Sequence, residues 1–156
     1  MTRPAPETPP SATSAAKRRA DHATENTEDY VELIGEIQSE MGAAHVTDIA
    51  RALGVSHVTV HKTIKRLKSQ GLVRAEPYRA ITLTEAGMAL AEESRERHQL
   101  TLRFLSALGV SDSAALEDAE GIEHHLGEEL IQQMRLFCEL MDQSGAVRRI
   151  DLHPHQ

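Results

Sequence analysis

The stretch "DAEGIEHH", residues 118–125, gathers five side chains that can bind a metal ion or transfer a proton. If the stretch is helical, Glu120, Glu123 and His124 are three and four positions apart, so one face presents two carboxylates and an imidazole. Asp118 and His125 then point away from this face. Such a face is typical of half a divalent-metal site, of an acid/base pair or of a charged surface in water. The stretch alone leaves these three interpretations open.

Three more candidate ligands lie on two other predicted helices. Asp29 and Glu32 are three residues apart and border an apolar stripe, and His98 shares a helix face with apolar residues. Unpaired charges beside an apolar stripe are costly to bury, so these side chains need partners. If the three faces converge, four carboxylates and two imidazoles can neutralise one or two divalent ions.

The composition limits the architecture that must position these side chains. A chain of 156 residues allows one ordinary domain or two small ones that share a core. Only 3% of the residues are aromatic, none of them Trp, and alternating β-branched runs are few. This composition predicts a mainly α-helical protein with an aliphatic core.

The sequence also bounds the compartment. No apolar run approaches the roughly 18 residues that span a bilayer, and no apolar segment follows the N-terminal charges as it does in a secretory signal. The single cysteine, Cys138, cannot form an internal disulfide and is predicted to be a small packed hydrophobe. We therefore expect a cytoplasmic protein that does not contact a membrane.

The net charge of −7 hides a strong asymmetry along the chain. Residues 45–82 carry seven lysines and arginines against two acids, a net charge of +5. Residues 1–44 carry four bases and eight acids, and residues 83–156 carry six bases and fourteen acids. A basic segment between two acidic ones indicates a nucleic-acid-binding unit within an otherwise acidic chain.

The N-terminal region predicts an arm and then a helix. Residues 1–26 are rich in Pro, Thr, Ser and Ala, which is typical of a disordered arm. Its basic cluster at 17–19 could contact DNA phosphates, although a solubilising tail is the favoured interpretation. A helix over about 27–41 should follow, with Glu28 and Asp29 in its first turn, where acids suit the helix dipole. Its inward residues should be Tyr30, Leu33, Ile34, Ile37 and Met41.

The segment "VTDIARALGVSHVTVHKTIKRLKSQGLV", residues 46–73, predicts a helix-turn-helix. Thr47 can cap the first helix, Gly54 permits the sharp turn, and Ser56 can cap the second helix. The exposed side of the second helix should face base edges and phosphates with Ser56, His57, Val58, Thr59, His61, Lys62 and Lys65. The alternative is a plain helical hairpin with a solvated basic face.

Two short β-prone runs, 72–75 and 80–84, flank a tight connection and predict a two-stranded wing. Arg74 and Arg79 of this wing should lie near the DNA backbone. Helices are then predicted over about 85–108, 113–126 and 128–142, with Leu130 among the buried residues of the last one. The expected fold is thus mainly α, with a winged helix-turn-helix at 27–84 (three helices and the wing), a helical domain at 85–142 and a flexible tail at 143–156.

The chain resembles the diphtheria-toxin-repressor family, and within it the manganese transport regulators. The matching segments are "EDYVELI" (28–34), "VTDIARALGVSHVTVHKTIKRL" (46–67), "YRAITLTEAG" (78–87), "RHQL" (97–100) and "EGIEHH" (120–125). The resemblance implies a winged-helix DNA-binding domain, a helical metal-binding and dimerisation domain, and a homodimer on a palindromic operator. It carries the family's metal ligands onto Asp29, Glu32, His98, Glu120, Glu123 and His124. The chain departs from the family pattern at Val58 and Ala80, neither of which is a ligand position.

The resemblance also implies which metal binds. Manganese members have an aspartate and a glutamate where iron-type relatives have sulfur-bearing side chains, and this chain has Asp29 and Glu120. The implied cofactor is Mn(II), two ions per subunit, although Fe(II) or Zn(II) could bind the same donors. The implied function is repression of manganese-uptake genes when Mn(II) fixes the dimer in a DNA-competent form. The alternatives are an Fe(II)-responsive regulator, a winged-helix regulator of a non-metal signal, and a dinuclear metal enzyme.

Overall fold

The computed structural model describes residues 12–77 and 79–144, with side chains from residue 21 onward. The first half contains three helices and a wing, and the second half contains three helices and a short 3₁₀ turn. In chain order these are α1 Ala12–Met41, α2 Val46–Leu53, α3 His57–Ser69, β1 Val73–Arg74, β2 Thr82–Leu83, α4 Glu85–Ala107, α5 Asp112–Ile122, the 3₁₀ turn Glu123–His125, and α6 Glu128–Ser144. The predicted mainly helical fold with a small antiparallel wing is confirmed.

Helices α2 and α3 form the predicted helix-turn-helix. Gly54 ends α2 in the left-handed region at φ 64°, and the Ser56 hydroxyl accepts a hydrogen bond from the Thr59 amide at the start of α3. Val60 and Leu67 are fully buried and join the core of this half of the chain. The predicted Thr47 cap is wrong, because α2 begins at Val46 and no side chain caps it.

The wing is shorter than predicted and is tied to its surroundings at several points. Val73 pairs with Leu83, and the Ile81 amide donates to the Ala44 carbonyl at 2.8 Å. Lys68 Nζ donates to the Ala75 carbonyl at 2.7 Å and so links α3 to the end of β1. These bonds hold the wing beside α3, as a winged helix-turn-helix requires.

Helix α1 starts at Ala12, well before the predicted start near residue 27. The predicted disordered arm is therefore wrong for residues 12–26, while residues 1–11 lie outside the described part. No glycine or proline interrupts residues 12–34, and this stretch is rich in Ala, Arg and Glu, which favour a helix. Tyr30, Val31, Ile34 and Ile37 of α1 are buried in the winged-domain core, whereas Met41 is exposed instead of inward because α1 ends there.

The second half is held by two small clusters on α4. Leu100 packs with Met134 and Cys138 of α6, and Leu102 packs with Ala115 and Ala119 of α5. Cys138 is a buried free thiol, as predicted. Leu130 was predicted to be buried, but it is 48% exposed. Among the described helices none is both long and apolar enough to cross a membrane.

Candidate metal centre and DNA-binding face

The "EGIEHH" stretch does not form the single α-helical face that its spacing predicted. Helix α5 ends at Ile122, and Glu123–His125 form a 3₁₀ turn with three residues per turn. This tighter winding brings the side chains of Glu123 and His124 inward, 3% and 9% exposed, while Glu120 stays 70% exposed. The change of winding therefore separates the two inner ligand candidates from the outer one.

His98 of α4 meets both acids of this segment. Its Nδ1 donates to Glu123 Oε2 at 2.5 Å and lies 3.7 Å from Glu120 Oε1. The hydrogen bond to Glu123 raises the pKa of His98 above its ordinary value, although burial opposes the shift. The predicted convergence of these three residues is thus present in the structure.

His124 connects the 3₁₀ turn to α1. Its Nε2 lies 3.6 Å from Asp29 Oδ1 and 3.6 Å from Glu123 Oε1, and its Nδ1 donates to Glu28 Oε2 at 2.7 Å. Burial lowers the pKa of His124. The hydrogen bond to Glu28 and the charges of Glu123 and Asp29 together raise this pKa by more than burial lowers it, so the net shift is upward.

Asp29 and Glu32 complete the group from the α1 side. Burial raises the pKa of Asp29, and the charge of Glu120 adds to the increase. Burial likewise raises the pKa of Glu32. The charge of Glu123 adds to this increase, and the charge of His98 opposes it. The structure therefore places five of the six predicted residues within 3.7 Å of another member of the group, and Glu32 interacts electrostatically with Glu123 and His98.

The donor set fits a hard divalent cation. It offers four carboxylates and two imidazoles without a thiolate, which suits Mn(II) and Fe(II). In the described ranges no three His, Cys, Asp or Glu side chains are arranged to hold an ion as they stand. Within the cluster, His98 is hydrogen-bonded to Glu123, and His124 is hydrogen-bonded to Glu28. Burial is the main cause of the raised pKa values of Asp29 and Glu32, with a smaller contribution from neighbouring carboxylates, and a bound cation would offset both.

One residue of this region, Glu28, was missed by the sequence reasoning. Glu28 was assigned to the first turn of a helix, but it lies within α1, its side chain is 7% exposed, and it contacts Arg97 and His124. The available signal was its spacing of three from the apolar Val31, which places both on one helix face. Recognising it required knowing that α1 begins far upstream.

The nine predicted DNA-contacting residues are all exposed. They are Ser56, His57, Val58, Thr59, His61, Lys62, Lys65, Arg74 and Arg79. Several of them line a groove of about 880 Å³ between α3 and the wing, together with His45, Thr47 and Lys68. The structure thus presents one exposed face made of the second helix of the helix-turn-helix and the wing, with basic and polar side chains beside the apolar Val58.

Some lysines and arginines of the basic segment 45–82 form contacts within the protein. Arg66 Nη2 donates to Asn26 Oδ1 at 2.7 Å, which ties α3 to α1, and Lys68 holds the wing. Arg79 forms an ion pair with Glu76 at 3.3 Å. Lys62, Lys65, Arg74 and Arg79 are exposed all the same, so their charge can face a nucleic acid.

Two family models match consecutive parts of the chain. The iron dependent repressor N-terminal DNA binding domain matches residues 22–81, and the iron dependent repressor metal binding and dimerisation domain matches residues 84–150. The chain belongs to the iron-dependent-repressor family. The family resemblance predicted from the sequence is confirmed, and with it a DNA-binding domain and a metal-binding and dimerisation domain. Iron-dependent repressors are transcriptional repressors, so the dinuclear enzyme considered from the sequence is excluded.

Relatives within the family are similar over most of this chain. The transcriptional regulator MntR of Escherichia coli is 49% identical over 121 residues, 78% of this chain and 78% of that protein. The HTH-type transcriptional regulator MntR of Lysinibacillus sphaericus is 36% identical over 78% of this chain and 87% of that protein. A solved manganese-dependent transcriptional repressor in complex with manganese aligns with a TM-score of 0.64 at 29% identity, over 72% of this chain and 52% of that one. This chain thus spans about half the length of that solved repressor.

Proposed function

We propose that this iron-dependent-repressor family member is a manganese-responsive repressor of manganese-uptake genes. The proposal is supported by its similarity to transcriptional regulators called MntR and to a manganese-dependent repressor. The observation that carries it is a contact between the two matched domains. Asp29 of the DNA-binding part lies 3.6 Å from His124 of the metal-binding part, so a cation at this point would join both domains.

We propose Asp29, Glu32, His98, Glu120, Glu123 and His124 as the metal ligands. Two ions per subunit would use these six donors more fully than one. Mn(II) matches the oxygen-rich set, and Fe(II) or Zn(II) would compete for it. The thiol of Cys138 is packed in the α4–α6 cluster and adds no soft ligand.

The chain's own contacts explain how ligand geometry would reach the DNA. When bound, a divalent ion supplies positive charge that offsets the cluster of carboxylates. Helix α1 carries Asp29 and Glu32 and also contributes Val31 and Ile34 to the core that holds α3. The Arg66–Asn26 bond adds a direct tie between α1 and α3. Fixing α1 against α4 and the 3₁₀ turn would therefore fix α3.

The energetic requirement is modest. A metal changes DNA affinity only by binding the DNA-competent arrangement more tightly than the other arrangements. A tenfold increase in operator affinity needs about 1.4 kcal/mol of such difference. An ion that links two domains can supply this because its ligands from α1 are in place only when the domains are docked.

The predicted DNA face and a dimer complete the proposal. Ser56, Val58, Thr59 and Lys62 would face the bases, and Lys65, Arg74 and Arg79 would contact phosphates. The exposed apolar residues Leu136 and Leu140, four positions apart on α6, offer a surface for a second subunit. A twofold dimer would read a palindromic operator whose half-sites are one helical turn apart or a multiple of it. Because such a regulator acts on DNA, we expect it in the cytoplasm.

A mobility-shift assay tests the proposed function. The probes are the region upstream of the chain's own gene and promoters of manganese importers, each with Mn(II), Fe(II), Zn(II) or a chelator. We expect a shift with Mn(II), none with the chelator, and a footprint with twofold symmetry. Equal DNA binding with Mn(II) and with chelator would refute metal control, and a footprint without symmetry would refute the dimer.

A further inference from the structure

Glu28 is a buried carboxylate that none of the assigned roles uses. Its side chain is 7% exposed and lies within α1, one position before Asp29. A charge at such a position must be compensated by partners, because transfer from water is costly. Its partners are His124 of the 3₁₀ turn and Arg97 of α4.

The contact between Glu28 and His124 defines the imidazole's protonation pattern. A carboxylate can only accept a hydrogen bond, so His124 Nδ1, at 2.7 Å from Glu28 Oε2, must carry the proton. In the neutral ring the lone pair then belongs to Nε2, which is the atom that faces Asp29 and Glu123 at 3.6 Å each. The unprotonated Nε2 of His124 therefore faces the ligand cluster.

Arg97 holds this carboxylate from the other side. Its Nη2 lies 2.7 Å from the same oxygen, Glu28 Oε2, and its side chain is only 15% exposed. At this distance the two side chains form a close ion pair, whereas among the described residues Nε and Nη2 have no hydrogen-bond partner. A buried guanidinium stays charged and so compensates the negative charge of the Glu28 carboxylate. Arg97 also directly precedes His98 on α4, so the three residues link α1, α4 and the 3₁₀ turn beside both imidazoles.

We propose that Glu28, held by Arg97, is a positioning residue that orients His124 and fixes its tautomer for metal binding. The proposal rests on the proposed function, because it assumes that His124 Nε2 is a ligand. Outer hydrogen-bond partners of a ligating imidazole set its orientation and basicity, and their loss commonly lowers metal affinity 10- to 100-fold. A purely structural ion pair between helices would not control which ring nitrogen carries the proton.

The direct test is nitrogen NMR of the full-length, metal-free protein with labelled histidine, at a pH where His124 is neutral. We expect His124 in the Nδ1–H form in the wild type. In Glu28→Gln the amide can accept from Nδ1 or donate to it, so both tautomers should be populated. A wild-type His124 in the Nε2–H form would overturn the proposal without reference to any variant.

Metal affinity provides the second readout. Mn(II) titrations followed by electron paramagnetic resonance should give a 10- to 100-fold weaker Kd for Glu28→Gln than for the wild type. The matched control is Glu40→Gln, which removes the same charge from an exposed position of the same helix. Wild-type affinity in Glu28→Gln would overturn the positioning role. If the wild type itself binds no Mn(II), the proposed function fails, while the tautomer measurement still decides whether Glu28 controls His124.

Discussion

His124 Nε2 lies 3.6 Å from Asp29 Oδ1, although 95 positions separate the two residues in the sequence. Asp29 belongs to the helix that underlies the DNA-binding core, and His124 belongs to a turn of the second domain. This contact makes the orientation of the winged domain depend on the chemistry of one small acidic cluster. The predictions below test that dependence and the fold that supports it.

Replacing Glu123 by Ala should abolish manganese-stimulated DNA binding. Glu123 is the buried acid that lies within 3.6 Å of both His98 and His124, so its loss removes a donor that both imidazoles share. We expect Mn(II) affinity to fall at least tenfold, with an unchanged circular dichroism spectrum. The control is Glu117→Ala, an exposed acid of α5. A Glu123→Ala protein with the wild-type manganese response would contradict the ligand assignment.

Raising the pH should lower the stability of the metal-free protein and should increase the stabilisation that Mn(II) provides. The pKa values of His98 and His124 are raised in the folded state. Their contribution to stability is therefore fully present below about pH 6.5, the pKa of an unfolded histidine, and is lost as the pH rises through the pKa values of the folded state. The raised pKa values of Asp29 and Glu32 act with the same sign at lower pH. The metal-free Tm should therefore fall between pH 6 and pH 8.

Manganese should reverse this trend, because ligation needs neutral imidazoles and ionised carboxylates. Each proton displaced weakens binding by about tenfold per pH unit below the group's pKa. The increase in Tm on adding Mn(II), measured by scanning calorimetry, should thus be larger at pH 8 than at pH 6. Because the pKa values of both histidines are raised, acidification should begin to weaken the manganese response at a pH already above 6.5. A manganese-induced increase that is independent of pH would argue against His98 and His124.

Replacing Lys65 by Ala should weaken DNA binding similarly on all sequences. Lys65 is exposed on α3 and has no bond to the wing, unlike Lys68. Loss of one phosphate contact reduces the slope of log affinity against log salt concentration by about 1. The measurement is fluorescence anisotropy at several salt concentrations, with Arg95→Ala on α4 as the control. An unchanged slope would place Lys65 outside the DNA interface.

The helix-turn-helix was predictable because its signals are local. Gly54 ends one helix in the left-handed region and Ser56 caps the next, and both act within a few residues of their own positions. The six candidate ligands were also found, since a carboxylate or imidazole beside an apolar stripe is visible in the helical period. Both kinds of signal are properties of short windows, and the structure confirms the helix-turn-helix.

The misplaced boundaries have tertiary causes. The first helix was predicted to begin near Thr27, but the Thr27 hydroxyl donates to the Ala23 carbonyl inside a continuous helix, and Arg66 donates a hydrogen bond to the neighbouring Asn26. The end of α5 at Ile122 brings His124 to Glu28, a contact between residues far apart in the chain. The burial of Glu28 could not be read from its neighbours, because its partners Arg97 and His124 come from the other domain.

Replacing Gly87 by Ala should destabilise the junction between the wing and α4. A Cβ at this position would lie 2.1 Å from the Leu72 carbonyl oxygen, which is backbone and already accepts from the Thr84 amide. The clash requires α4 to move away from the wing, so we expect a loss of about 1–3 kcal/mol in the free energy of unfolding. This corresponds to a Tm lower by about 2–4 °C for each kcal/mol.

The matched control for this change is Gly121→Ala. Gly121 lies in α5, and a Cβ there would meet no atom within 4 Å, so the substitution should leave stability unchanged or raise it by up to about 1 kcal/mol. Urea unfolding of both metal-free variants measures the difference. If Gly87→Ala were as stable as Gly121→Ala, the close packing of α4 on the Leu72 carbonyl would be wrong, and with it the rigid link from the wing to His98.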